Sequence, residues 1–80
     1  MAKYFFIQEW NESDVLPHGR CTSKVTAYGL MSERRIKELK YYANRYSPYD
    51  YVDYSTFTNE EKYKIYLKII EGNGGTITYE

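Results

Sequence analysis

The sequence has little of what usually carries chemistry. Its 80 residues include one histidine, His18, and one cysteine, Cys21. A lone thiol cannot close an internal disulfide, which removes the covalent staple of small secreted domains. A single histidine excludes a histidine-rich metal centre. No apolar run approaches the roughly 20 residues of a membrane-spanning helix. The first residues, Met1-Ala2-Lys3-Tyr4-Phe5-Phe6-Ile7, hold too short an apolar stretch for a secretory leader, so the expected location is the cytoplasm. An excess of charge is missing too, because 11 basic residues offset 11 acidic ones. A non-specific nucleic-acid binder draws its affinity from phosphate neutralisation and carries a large basic excess. A wholesale nucleic-acid mimic would carry the opposite excess. Neither fits this chain.

What the sequence does have is tyrosine. There are 11, against 3 Phe and 1 Trp. Tyrosine offers a large, rigid contact surface at low side-chain entropy cost, together with a hydroxyl. In so short a chain the core is thin, because a domain of this size buries only about 60–65% of the surface that its unfolded chain exposes. There is little room for a deep pocket walled by protein on all sides.

One domain is expected over residues 1–80, since no linker, repeat or low-complexity segment interrupts the chain. Lys3 to Trp10 is aromatic and β-branched and reads as a strand with both faces at least partly covered. Asn11 to Cys21 is rich in turn formers and reads as a loop. Thr22 to Leu30 reads as a second strand, with Val25 and Ala27 on one face and Thr26 and Tyr28 on the other. Ser32 is a good N-cap for a helix over residues 33–46, whose apolar face is Ile36, Leu39, Ala43 and Tyr46. Ser47-Pro48 ends it.

Thr58 and Glu61 have the spacing of a capping box and open a second helix over about 59–71, with Tyr63, Tyr66, Leu67 and Ile70 inward and Gly72 as its left-handed cap. Asn73-Gly74-Gly75 reads as a chain reversal. It lacks the Lys-Ser/Thr of a phosphate loop. Thr76 to Tyr79 reads as a short last strand. The expected order is therefore β-β-α-α-β: an α+β fold with a small three-stranded antiparallel sheet and both helices packed on one of its faces.

Ser47 to Phe57, between the helices, is long for a compact connection and has an unusual composition. Tyr49, Tyr51 and Tyr54 interleave with Asp50 and Asp53, and no basic residue occurs among them. Tyrosines beside carboxylates suit a partner's Arg or Lys through ion pairs and cation–π contacts. These five residues are the expected partner-binding set. The bland alternative is that the tyrosines cover a thin core.

Helix one carries Arg34, Arg35, Lys37, Lys40 and Arg45, with Tyr41 and Tyr42 beside them. Basic residues interleaved with aromatics suit a nucleic-acid strand. Arg34, Arg35, Lys37, Lys40 and Tyr41 therefore form the alternative set, weighed against an ordinary solvated helix face.

The remaining constellations are weak. His18 and Cys21 supply two ligands where tetrahedral zinc needs three or four. As a nucleophile pair they lack an orienting third group and an oxyanion site. Asp50 and Asp53 in an exposed segment are poor candidates for acid–base work.

No catalytic residue, cofactor or metal is expected. The sequence reads as a non-enzymatic binding module, monomeric or homodimeric, whose partner is a protein or nucleoprotein with a basic patch. In size and character it is comparable to phage-encoded inhibitors of host defence such as anti-CRISPR proteins, which makes the host cytoplasm the setting and steric blockade the expected mode. That comparison is an analogy and rests on no shared motif. A nucleic-acid-binding regulator and a self-associating structural protein are the alternatives.

Overall fold

The computed structural model describes residues 1–80. The fold is α+β, with two helices and a four-stranded mixed sheet. The strands are β1 (Ala2–Trp10), β2 (Lys24–Ser32), β3 (Tyr51–Phe57) and β4 (Thr76–Tyr79), and the helices are α1 (Glu33–Tyr46) and α2 (Glu60–Gly72). Between β1 and β2 the chain makes two short 3-10 turns, Glu12–Asp14 and Pro17–Gly19.

Three expectations are corrected here. The sheet has four strands in the order β3-β1-β2-β4, because the Tyr/Asp segment is the edge strand β3 and not a loop. The sheet is mixed: β1 runs antiparallel to β2 and β3, whereas β4 runs parallel to β2. The helices lie on opposite faces. Phe6, Val25 and Ala27 pack against Tyr63 and Leu67 of α2, while Phe5 and Ile7 pack against Ile36 of α1. Phe5, Phe6 and Ile7 are all buried, although consecutive strand residues point to opposite sides. Only a sheet covered on both faces satisfies that pattern.

The missed strand explains the missed layer. With β3 at one edge, α1 carries the chain from β2 across β1 to β3, and α2 carries it back across the sheet to β4. The two crossovers run in opposite directions. One handedness for both therefore places the helices on opposite faces.

Local signals set the element ends. The Ser32 hydroxyl accepts from the Arg35 N–H at 3.2 Å and caps α1. The cap of α2 is Asn59 and not Thr58: its side-chain oxygen accepts from the Lys62 N–H at 3.1 Å. Gly72 stays within α2, and the left-handed turn falls at Gly74. Gly75 is required by space, since a Cβ there would sit 2.5 Å from Cγ2 of Ile70.

The β1–β2 register slips by one residue between Phe5 and Phe6, where Gly29 takes positive φ and Tyr28 is the extra residue. The slip keeps Val25 and Ala27 facing α2 while turning Tyr28 to stack on Phe5 on the α1 side. Tyr46 and Tyr66, expected inward, are exposed. Tyr66 lies at the margin of the α2 contact, its ring centroid 5.0 Å from that of Phe57 on β3.

Candidate acidic-aromatic docking surface

Strand pleating decides where the Tyr/Asp segment goes. In β3, Tyr51 pairs with Trp10, Asp53 with Gln8 and Tyr54 with Ile7. Alternation then sends Tyr51 and Asp53 to the α2 face, and Val52 and Tyr54 to the α1 face. The five expected partner-binding residues thus divide between two surfaces.

Tyr54 packs in the core beside Ile36 and Leu39. Its hydroxyl is bonded to the side chain of Asn44 and, at 3.3 Å, to the Lys40 carbonyl. Burial, the largest cause, pushes its phenol above the ordinary tyrosine range, although the Asn44 bond opposes the shift. Tyr49 precedes the strand and is half-buried against α1.

Asp50, Tyr51 and Asp53 stay together at one corner of the sheet. α2 passes from Phe57 on β3 toward Ile77 on β4 and leaves this corner uncovered. Trp10, whose position the sequence leaves open, lies here and stacks on Tyr51 with centroids 5.6 Å apart and planes 22° apart. Tyr51 keeps 44% of its surface exposed.

The turn after β1 closes over the pair. The Glu12 N–H donates to Asp50 at 3.0 Å, and the Asp50 N–H donates to Asn11 at 3.0 Å. The Asn11 N–H donates to Asp14 at 2.8 Å, which fastens the turn itself. The Tyr51 hydroxyl donates to the Glu12 carboxylate. That bond, followed by the charge of Glu12, holds the Tyr51 phenol above its ordinary value.

The result is a rigid aromatic pair ringed by Glu12, Asp14, Asp50 and Asp53. The molecule has four ion pairs, and none includes any of these carboxylates. Their hydrogen bonds come from uncharged N–H and O–H groups, so the negative charge stands uncompensated.

At the far end of β3 the sign reverses. Lys3, Lys37 and Lys40 gather around Thr56 with one acid among them, Glu33, which is paired to Lys3 and the N-terminal amine. The two ends are separated by roughly 20 Å, the length of such a strand. Charge balance in the composition therefore conceals an uneven distribution of the two signs along β3.

The alternative set on α1 is partly occupied. Arg35 pairs with Glu38 at 3.1 Å, and the Lys40 ammonium lies 5.6 Å from the Tyr54 ring centre. Arg34 and Lys37 border a shallow depression with Tyr41 and Tyr42.

His18 is exposed at the tip of the β1–β2 connection, with positive φ. Cys21 is half-buried, and burial, followed by the charge of Asp14, raises its thiol pKa. No group of three metal-binding side chains comes together anywhere in the structure. No helix is long and apolar enough to cross a membrane. Searches with the chain against protein-family models, curated proteins and solved structures find no match, which leaves the geometry of this corner as the ground for a functional reading.

Proposed function

We propose that the protein is a non-enzymatic binding domain that docks the Trp10–Tyr51 corner on a basic patch of a larger protein or nucleoprotein and blocks that surface sterically. The observation that carries this reading is the set of four uncompensated carboxylates around an exposed aromatic stack. Aromatic anchors supply affinity at the centre of an interface, and complementary charge supplies orientation and association rate. Asp50, Tyr51 and Asp53 act there with Glu12 and Trp10, and Tyr49 borders the same end of the sheet. Inhibition of the phage-encoded kind, in which a small domain occludes a host machine, is the mode that this size and surface suit.

The test is affinity capture from lysate of the source or host cell, with wild-type and Tyr51→Ala baits, at low and high salt and with nuclease. The reading expects one dominant protein that survives nuclease and is lost from the Tyr51→Ala bait. A nuclease-sensitive catch, equal on both baits, overturns it.

A second reading has its own observation. Arg34, Lys37, Tyr41 and Tyr42 share one exposed depression on α1, a combination that suits a single-stranded nucleic acid. Binding there should weaken steeply and linearly in log affinity against log salt.

A further inference from the structure

The α1 face of the sheet has a groove that the docking corner does not use. Met31 and Tyr28 of β2 pack in the α1 layer, but toward the start of β2 a cleft of about 410 Å3 remains between the strand and the C-terminal half of α1. Four tyrosines line it: Tyr28 from β2, Tyr42 and Tyr46 from α1, and Tyr49 from the segment after α1. Tyr42 and Tyr46 stack, with centroids 6.1 Å apart and planes 19° apart, and are 54% and 67% exposed.

One acid stands among these rings. Glu9 is half-buried, lines the groove and belongs to none of the four ion pairs. Its Oε2 accepts from the Ser47 hydroxyl at 2.6 Å. The Ser47 hydroxyl oxygen in turn accepts from the Tyr49 N–H at 3.2 Å, so the carboxylate is held in place by the segment that carries the fourth ring. Oε1 has no hydrogen-bond partner in the protein. Lys24 lines the same groove and pairs across the strands with Glu9, but does not come within ion-pair distance. Arg45 is turned to the Tyr46 ring, 5.7 Å from its centre.

A fixed carboxylate inside an aromatic groove is the arrangement that holds an organic cation. We infer that this groove receives an arginine side chain of the partner, with its guanidinium against the tyrosine rings and its N–H groups donating to Glu9. Arginine fits better than lysine because a planar guanidinium stacks on ring faces and donates in its own plane. The contact of Arg45 with Tyr46 is the same pairing already made within the chain. The inference rests on the reading of a basic partner given above. It adds a second contact at the same end of the sheet, on the α1 face, since Glu9 and Tyr49 adjoin Trp10 and Asp50 in sequence.

The experiment is titration of the isotope-labelled protein with the capped tripeptide Gly-Arg-Gly, followed by amide chemical shifts. Parallel titrations use Gly-Lys-Gly, Gly-citrulline-Gly and choline. Saturable shifts at Glu9, Thr26, Ser47 and Tyr49 are expected with the arginine peptide, weaker ones with lysine and none with citrulline. Glu9→Gln, which keeps an acceptor for Ser47, should weaken the arginine peptide at least about fivefold. Tyr42→Ala should do the same by removing an exposed ring. Lys24→Gln should tighten binding by removing a competing cation.

An equal response to citrulline, or no response of affinity to Glu9→Gln and Tyr42→Ala, overturns the inference. So does tighter saturation by choline, which would make this a site for a small quaternary ammonium. Groove shifts that depend on protein concentration without peptide would assign it to a second copy instead. Shifts confined to Trp10, Glu12 and Tyr51 would sink the groove and leave the docking corner standing.

Discussion

Tyr63 and Tyr51 are the same residue put to opposite uses. Tyr63, on α2, is 6% exposed and lies among Tyr4, Phe6 and Phe57. Its hydroxyl accepts the Gly29 N–H at 3.0 Å, which serves a backbone group at the bulge. Tyr51 is about half exposed, stacks on one ring, and donates its proton to a carboxylate at the surface. One side chain closes the core and the other presents a charged aromatic platform. A tyrosine count therefore says little until the pleat and the helix crossings assign each ring to a face.

Substitutions can break this contrast from the core side first. Tyr63→Ala removes a buried ring from the centre of the α2 layer and should cost about 3–5 kcal/mol, most of the stability of a domain this small. Chemical denaturation would read this as a large fall in midpoint. Gly75→Ala drives a Cβ into Ile70 and should cost about 1–3 kcal/mol by overpacking, read as a fall in melting temperature. Tyr51→Ala, by contrast, loses the stack on Trp10 and the bond to Glu12, both at the surface, and should lower the denaturation midpoint far less than Tyr63→Ala, while abolishing capture of the partner. A loss of stability from Tyr51→Ala equal to that from Tyr63→Ala would erase the distinction.

The two rings also share a pH signature. The phenols of Tyr28, Tyr54 and Tyr63 are raised chiefly by burial, and that of Tyr51 by its bond to Glu12. A raised pKa means that the folded state holds these protons more tightly than the unfolded chain does. Their contribution is thus full below the ordinary tyrosine value, about 10, and is lost as pH rises through the folded values. Melting temperature should fall on the alkaline side, with the tyrosinate signals of Tyr28, Tyr54 and Tyr63 appearing late and together with unfolding. Early titration of Tyr28, Tyr54 and Tyr63 in the folded protein would contradict their burial.

Much of the fold was legible in the sequence because its signals are local. Ser32, the periodicity from Ile36 to Ala43, and Ser47-Pro48 bracket α1 at its observed ends, and Thr76–Tyr79 was readable as a strand. β3 is hard to read from sequence because its aspartates and the preceding Pro-Tyr-Asp have the composition of a loop. An edge strand tolerates aspartate on a solvent-facing position, and the alternation Val52/Tyr54 against Tyr51/Asp53 was present. Losing β3 also lost the second layer.

The site was half legible. Composition singled out Asp50, Tyr51 and Asp53, but Trp10 and Glu12 join them only through cross-strand pairing and a turn some 40 residues away in sequence. Nor could spacing show that Tyr54 turns inward, since that follows from the register with Ile7.

The central claim is that the charge of this corner, and not its contribution to folding, holds the partner. The most direct measurement is calorimetric titration of the captured partner with the wild type and with Glu12→Gln/Asp53→Asn, two changes that remove charge and keep shape. Melting of both proteins is recorded alongside. Affinity at least about tenfold weaker at low salt, converging with the wild type at high salt, and a melting temperature within about 4 °C are predicted. Unchanged affinity in a folded double variant would contradict the account.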